Sequence, residues 1–264
     1  VFHSVSAFCN AGFDILGTEG HRFVSLSGYG DNIWLNMVIM LLIIIGGIGF
    51  LTWEDFYKNK LNFRRYRMQS KVILITTVLL IILPAILFFA NDFGEFLFKK
   101  RLLYSIFQSV TTRTAGFNTA DLPLMTEAGK SVMILLMLIG GSPSSTAGGM
   151  KTTTFAVLIL NAFATFRSRE DAGAFGRRFD VQVIKNAATI AMLYLMLFFG
   201  GGIIISAYEG LPVLTCFYEA ASAIGTVGLT LGVTPDLHII SRLILIVLMY
   251  LGRVGGLTLI YAVF

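Results

Sequence analysis

Ser222-Ala223-Ile224-Gly225-Thr226-Val227-Gly228-Leu229 decides how this chain folds, because the same pattern occurs three times. Aligned on one glycine, the other copies are Ser6-Ala7-Phe8-Cys9-Asn10-Ala11-Gly12-Phe13 and Val110-Thr111-Thr112-Arg113-Thr114-Ala115-Gly116-Phe117. The interval is about a hundred residues, far beyond solenoid periods of roughly 20–50. Each copy follows a partly apolar stretch of about ten residues, a helix of about 15 Å, which is too short to cross a bilayer core of about 30 Å. Each is followed by a polar loop and a long apolar span. Irregular backbone at membrane depth is tolerated only where it is buried in protein or lines a water-filled cavity. The unit is therefore helix, re-entrant pore loop, helix. Gly140 and Gly252 follow Gly116 and Gly228 at one interval; Gly46 follows Gly12 at a longer one, which fits a longer Gly- and Ser-rich loop within Gly17 to Asp31.

Composition agrees with lipid as the solvent. Of 264 residues, 56% are hydrophobic, and the mean hydropathy is +0.79. Five apolar stretches approach crossing length: Asn32 to Thr52, Val72 to Ala90, Ser131 to Phe166, Val183 to Ala207, and Ile239 to Phe264. The net charge of +5 could suggest nucleic acid, but its distribution excludes that reading. Lys58, Lys60, Arg64, Arg65, Arg67 and Lys71 occupy one inter-helix segment, and Arg167, Arg169, Arg177, Arg178 and Lys185 another; by the positive-inside rule both face the cytoplasm. Acids such as Asp14, Glu19, Asp92, Asp121 and Asp236 fall on the opposite side, where they raise the local cation concentration. Cys9 and Cys216 form no disulfide or zinc pattern, and His3, His21 and His238 have no ligand spacing. The chain reads as an all-α integral membrane protein of repeated units around one pore, like a potassium channel. The repeats occupy 1–71, 72–182 and 183–264.

The glycines explain what such a pore passes. A dehydrated monovalent cation needs several oxygen dipoles, and backbone carbonyls turned to one axis supply them without fixed charge. Glycine reaches the backbone angles this requires and lets several segments approach one axis. Thr226-Val227-Gly228 is the core of the potassium-channel filter sequence. The expected filter residues are Asn10, Ala11, Gly12 and Phe13; Thr114, Ala115, Gly116 and Phe117; and Thr226, Val227, Gly228 and Leu229. A second feature lies in the third span, which as one helix would run about 54 Å. It breaks at Gly140-Gly141-Ser142-Pro143-Ser144-Ser145-Thr146-Ala147-Gly148-Gly149, just before Lys151. Beneath a filter, this loop is either a gate or a passive kink. Arg253 sits mid-span, where a bare charge is costly. With Lys151 it reads as an electrostatic barrier held by the loop's carbonyls and hydroxyls, or else as a snorkelling structural arginine. Arg113 reads as a tie between the filter backbone and a nearby acid. A secondary carrier for another ion or solute would also use broken helices, but these repeats all run in one sense. A membrane enzyme would need a clustered nucleophile, base or metal, and Ser142, Ser144 and Ser145 have no such partner.

On these residues the sequence resembles the superfamily of Trk, Ktr and HKT potassium transporters, most of all its bacterial Ktr branch. The resemblance covers essentially the whole chain and rests on Phe2 to Asp14, Thr111 to Thr119, Gly140 to Lys151, Ala221 to Gly232 and Gly252 to Gly256. It implies four repeats around one pore, with Gly12, Gly116 and Gly228 as the filter glycines of the second, third and fourth, and potassium at their carbonyls. On this reading the first repeat is missing, and the chain is a piece of a longer transporter. It further implies a gating loop at Gly140 to Lys151, a pore arginine at Arg253, no covalent cofactor, sodium as an activator, and a multi-pass place in the bacterial plasma membrane. The implied partners are a second copy of the chain, a cytoplasmic ring of nucleotide-binding regulatory subunits, and membrane lipid.

Overall fold

The computed structural model describes residues 1–18, 24–60, 62–169 and 171–255. Glu19, His21, Glu170, Gly256 and the rest of the last apolar stretch lie outside the described residues. Three short helices, α1 (Phe2–Phe8), α5 (Phe98–Thr111) and α9 (Val213–Ile224), each run into a repeated motif and end four or five residues before its glycine. Long apolar helices α4 (Met68–Asn91) and α8 (Val181–Glu209) precede the second and third of these. Their 24 and 29 residues are enough to cross a membrane. After the motifs come α2 (Ile33–Gly47), α6 (Glu127–Leu138) and α10 (Ile239–Val254). Helices α3 (Phe50–Asn59) and α7 (Thr152–Phe166) continue from α2 and α6 beyond breaks. In the second basic segment an antiparallel hairpin pairs β1 (Gly173–Ala174) with β2 (Arg177–Arg178).

The stretch Asn32 to Thr52 is not one straight crossing. Helix α2 stops at Gly47, and α3 leaves at 95°. The turn sits at Gly49 (φ 88°, ψ 144°), where the Pro143 carbonyl occupies the space a side chain would need. Hydropathy cannot register such a bend, since it records the composition of a stretch and not its direction. Gly255 ends α10 with nearly the same angles (φ 87°, ψ 142°), so the first and third repeats break at equivalent points.

The pore helices are fastened by backbone chemistry. Pro84 inside α4 removes the N–H that would bond the Leu80 carbonyl. Ser109 on α5 supplies the missing donor, its Oγ lying 3.2 Å from Leu80 O and 2.7 Å from Ile81 O. Arg101 donates to the carbonyls of Phe89 (2.6 Å) and Ala90 (3.3 Å) at the open end of α4. Ser109 is fully buried, so Ser109→Ala leaves an unpaired carbonyl in an apolar setting. The expected cost is about 1–3 kcal/mol, measured as a lower unfolding temperature of the detergent-solubilised full-length protein. The buried core falls into two clusters, one around α6, α8, α9 and α10 and one around α1, α2 and α5. The repeated motifs lie at their junction.

Candidate functional site

The three motifs share one backbone conformation. Gly12, Gly116 and Gly228 have φ of 69°, 80° and 88°. Two residues earlier, Asn10, Thr114 and Thr226 are also left-handed, at 51°, 72° and 54°. Non-glycine residues rarely accept this region. Its recurrence at the same register marks a strained turn held by its surroundings. A polar side chain on each pore helix grips the motif: Ser6 Oγ donates to Phe13 O (2.9 Å), Thr111 Oγ1 donates to Phe117 O (2.6 Å), and Gly228 N donates to Ser222 Oγ (3.1 Å).

Beyond each glycine a side-chain turn redirects the chain. Asp14 Oδ1, Asn118 Oδ1 and Thr230 Oγ1 accept from the amides of Leu16, Ala120 and Gly232 at 3.0, 3.1 and 3.0 Å. All three acceptors stand two residues after the glycine. The sequence does not display this equivalence, because Asp, Asn and Thr differ in type and share only a side-chain oxygen.

The motifs meet each other. A Cβ on Gly12 would overlap the Ala115 carbonyl oxygen and come within 3.1 Å of Gly116 Cα; one on Gly116 would overlap the Val227 carbonyl oxygen. Around the junction the order is therefore Gly12, Gly116, Gly228. Among the described residues, the residues two before each glycine carry side-chain oxygens with no hydrogen-bond partner: Asn10 Oδ1, Thr114 Oγ1 and Thr226 Oγ1. Three buried, unpaired oxygens at equivalent positions are costly unless something binds them.

The segment Gly140 to Lys151 lies directly beneath. Its neck is closed: Gly140 N donates to Met150 O (2.8 Å) and Thr152 N to Gly141 O (3.0 Å). Ser142, Pro143, Ser144, Ser145, Thr146 and Ala147 form the excursion between. Thr146 is its hub. Its Oγ1 donates toward Phe8 O (3.0 Å) and Gly46 O (3.2 Å) and accepts from Asn10 Nδ2 (2.9 Å), while its carbonyl accepts from Arg253 Nη1 (2.9 Å). Ser142 N and Thr146 N donate to Gly47 O (3.0 Å) and Gly46 O (3.3 Å). Lys151 Nζ donates back to Ala147 O (2.7 Å). Gly148 packs against the Thr226 hydroxyl and Gly149 against the Gly225 carbonyl. The loop thus touches the first repeat, the third filter motif and α10.

Equivalent glycines allow this closeness. Gly46 and Gly252 face the carbonyls of Phe8 and Ile224, each four residues before a motif glycine. Gly140, reached by the same spacing, faces Gly148 of its own loop instead.

Two residues depart from expectation. Arg113 is 8% exposed and lies near Gly47, Thr77, Ile81 and Gly141, but among the described residues no acid is in ion-pair distance and its Nε has no partner. The expected tie to an acid is absent there, because the converging segments bring a hydroxyl (Thr77), apolar side chains and glycine backbone to Arg113 but no carboxylate. Glu219 was overlooked. It is buried on α9, one helical turn before Ser222; its Oε1 accepts from Thr230 Oγ1 (2.8 Å) and Leu231 N (2.9 Å), and its Oε2 from Thr234 Oγ1 (2.7 Å). His3 and Phe107 hold the equivalent places. A lone carboxylate in an otherwise apolar half-helix was the signal available. Glu219→Ala strands three donors and is expected to loosen the third motif at a cost of at least about 1–3 kcal/mol, read as a lower unfolding temperature of the detergent-solubilised full-length protein; an unchanged unfolding temperature would refute that role.

The family profile described as TrkH, cation transport protein, matches residues 1–264. Similar relatives include the potassium/sodium uptake protein NtpJ of Enterococcus hirae, 40% identical over 99% of this chain and 58% of that protein. The Ktr system potassium uptake protein B of Bacillus subtilis is 35% identical over 99% of this chain and 59% of that one. The chain thus spans under two thirds of the length of these relatives. In fold it is similar to the potassium transporter TrkH from Vibrio parahaemolyticus, with a TM-score of 0.78 at 22% identity, covering 99% of this chain and 57% of that one. Three motifs with one backbone conformation, three short helices feeding them, and a match over the whole sequence converge on one conclusion: the chain belongs to the TrkH family of cation transport proteins.

Proposed function

We propose that this chain supplies three of the four filter segments of a potassium uptake protein of the bacterial plasma membrane. The observation that carries this is the left-handed pair repeated at Asn10 and Gly12, Thr114 and Gly116, Thr226 and Gly228. Such pairs turn carbonyl groups of successive residues toward a common axis, the arrangement that replaces a cation's hydration shell. The unpartnered oxygens of Asn10, Thr114 and Thr226 extend that ring toward the loop. Potassium is transported cargo at these oxygens. The printed names of the relatives, potassium/sodium uptake and Ktr potassium uptake, support this cargo and leave room for sodium as an activator. Among the described residues nothing lies within 4 Å of the side-chain direction of Gly228, so a fourth segment of the longer protein fits beside it.

The loop Gly140 to Lys151 acts as the gate. Its hydrogen bonds each contribute about 1 kcal/mol net, so a partner binding the open state a few kcal/mol more tightly would suffice to move it. That partner is a cytoplasmic nucleotide-binding ring, docked on the basic segments around Lys58 to Lys71 and Arg167 to Arg178, and the transporter works as a homodimer. The words "Ktr system" in a relative's name support a multi-component assembly. Arg253 pins the closed loop and opposes cation passage. Arg253→Gln keeps a donor near Thr146 O but removes the charge, and is expected to raise flux severalfold, read by rubidium tracer uptake into vesicles. The direct test is complementation: cells lacking their own potassium uptake should grow at low potassium when given the full-length protein, and absence of potassium uptake by protein present in the membrane would overturn the reading.

A further inference from the structure

We propose that the groove between α4, α6 and α7 is a binding site for one anionic phospholipid of the inner leaflet. The groove is a cavity of about 680 Å³ with an almost wholly apolar lining. Val72, Leu79 and Leu83 line it from α4, Leu136 from α6, and Phe155 and Ile159 from α7. One leaflet of a hydrocarbon core of about 30 Å is about 15 Å deep. Val72 to Leu83 covers roughly that depth at 1.5 Å per residue, so an extended acyl chain lies along α4 without leaving the leaflet.

The cytoplasmic mouth supplies the charge. Lys71 immediately precedes Val72, and the hairpin residue Phe175, which roofs the groove, lies beside it. Lys71 Nζ is 5.5 Å from the Phe175 ring and 5.9 Å from the Phe63 ring, and donates one hydrogen bond to Arg64 O (2.8 Å). An ammonium has three donors, so two remain for a phosphate at the membrane surface. Arg64 and Arg177 are exposed and make no ion pair among the described residues, whereas Arg178 is taken by Asp171 at 2.6 Å. An apolar slot of acyl length, opening on a lysine held by two aromatic rings, fits a phosphodiester headgroup with its tail below. The same lipid touches both halves of the broken span, Leu136 before the loop and Phe155 after it, so its occupancy steadies the closed loop. This last consequence, unlike the binding itself, rests on the gate reading.

Native mass spectrometry of the full-length protein, with added phosphatidylglycerol or phosphatidylcholine of identical chains, tests the site. Phosphatidylglycerol is expected to be retained about fivefold better. Lys71→Gln should erase that preference, and Leu79→Trp, at a half-exposed position, should reduce retention of both lipids. Equal retention of both by the unaltered protein would overturn the proposal, leaving only adventitious chain binding. Efficient disulfide cross-linking between copies through Leu83→Cys would also overturn it, by assigning the groove to a second copy. Because retention is read without transport, these outcomes do not depend on the gate. If phosphatidylglycerol binds as expected but does not slow rubidium flux, the gate reading fails and the lipid site stands.

Discussion

Gly116→Ser in the full-length protein is expected to cut potassium-over-sodium selectivity at least about tenfold, a loss of about 1.4 kcal/mol in differential binding. Two costs combine. The residue must hold φ at 80°, which a side chain resists by about 1–2 kcal/mol. Its Cβ would also collide with the Val227 carbonyl oxygen, so the second and third motifs must move apart. A filter discriminates through the placement of its dipoles, so widening it harms potassium more than sodium. Gly228→Ser carries the backbone strain, at φ 88°, and is expected to act in the same direction. Competitive uptake of the two ions is the measurement. If Gly116→Ser left the selectivity ratio unchanged with the protein in the membrane, the filter assignment would fail.

Removing Ser142 to Ala147 is expected to raise ion flux several-fold or more. The closed neck makes this test clean, because Gly140 N to Met150 O and Thr152 N to Gly141 O persist on either side of the deletion. Gly140 already lies against Gly148 and Gly149, so the cut ends are close enough to join without moving α6 or α7. What disappears is the excursion, with Thr146 bridging Phe8, Gly46, Asn10 and Arg253. Thr146→Val is the milder version, losing only the hydroxyl's bonds, and should raise flux less. Lower flux at unchanged protein level would turn the loop from a gate into a structural strut.

The glycine repeat was legible in the sequence because its demand is local: a left-handed turn at membrane depth leaves few residues to choose from. Gly12, Gly116 and Gly228 could therefore be aligned without coordinates, and the Gly- and Ser-rich run at Gly140 announced a break in an overlong span. Relations between elements were not legible. The bend at Gly49 depends on the Pro143 carbonyl, nearly a hundred residues away, and Glu219 owes its place to a turn that exists only once Thr230 to Thr234 has folded onto α9. A charge in sequence implies a counter-charge, but among the described residues Arg113 meets none, because its surroundings are set by which helices converge there.

By itself the sequence determined the lipid solvent, the three-fold repetition and the register of the motifs, since hydropathy and backbone permission are written residue by residue. Only the tertiary structure decided that Gly12 and Gly116 each abut the next motif, and that Thr146 joins two repeats to Arg253. Those are contacts across about a hundred residues or more, and they arise from where packed helices bring carbonyls and hydroxyls together.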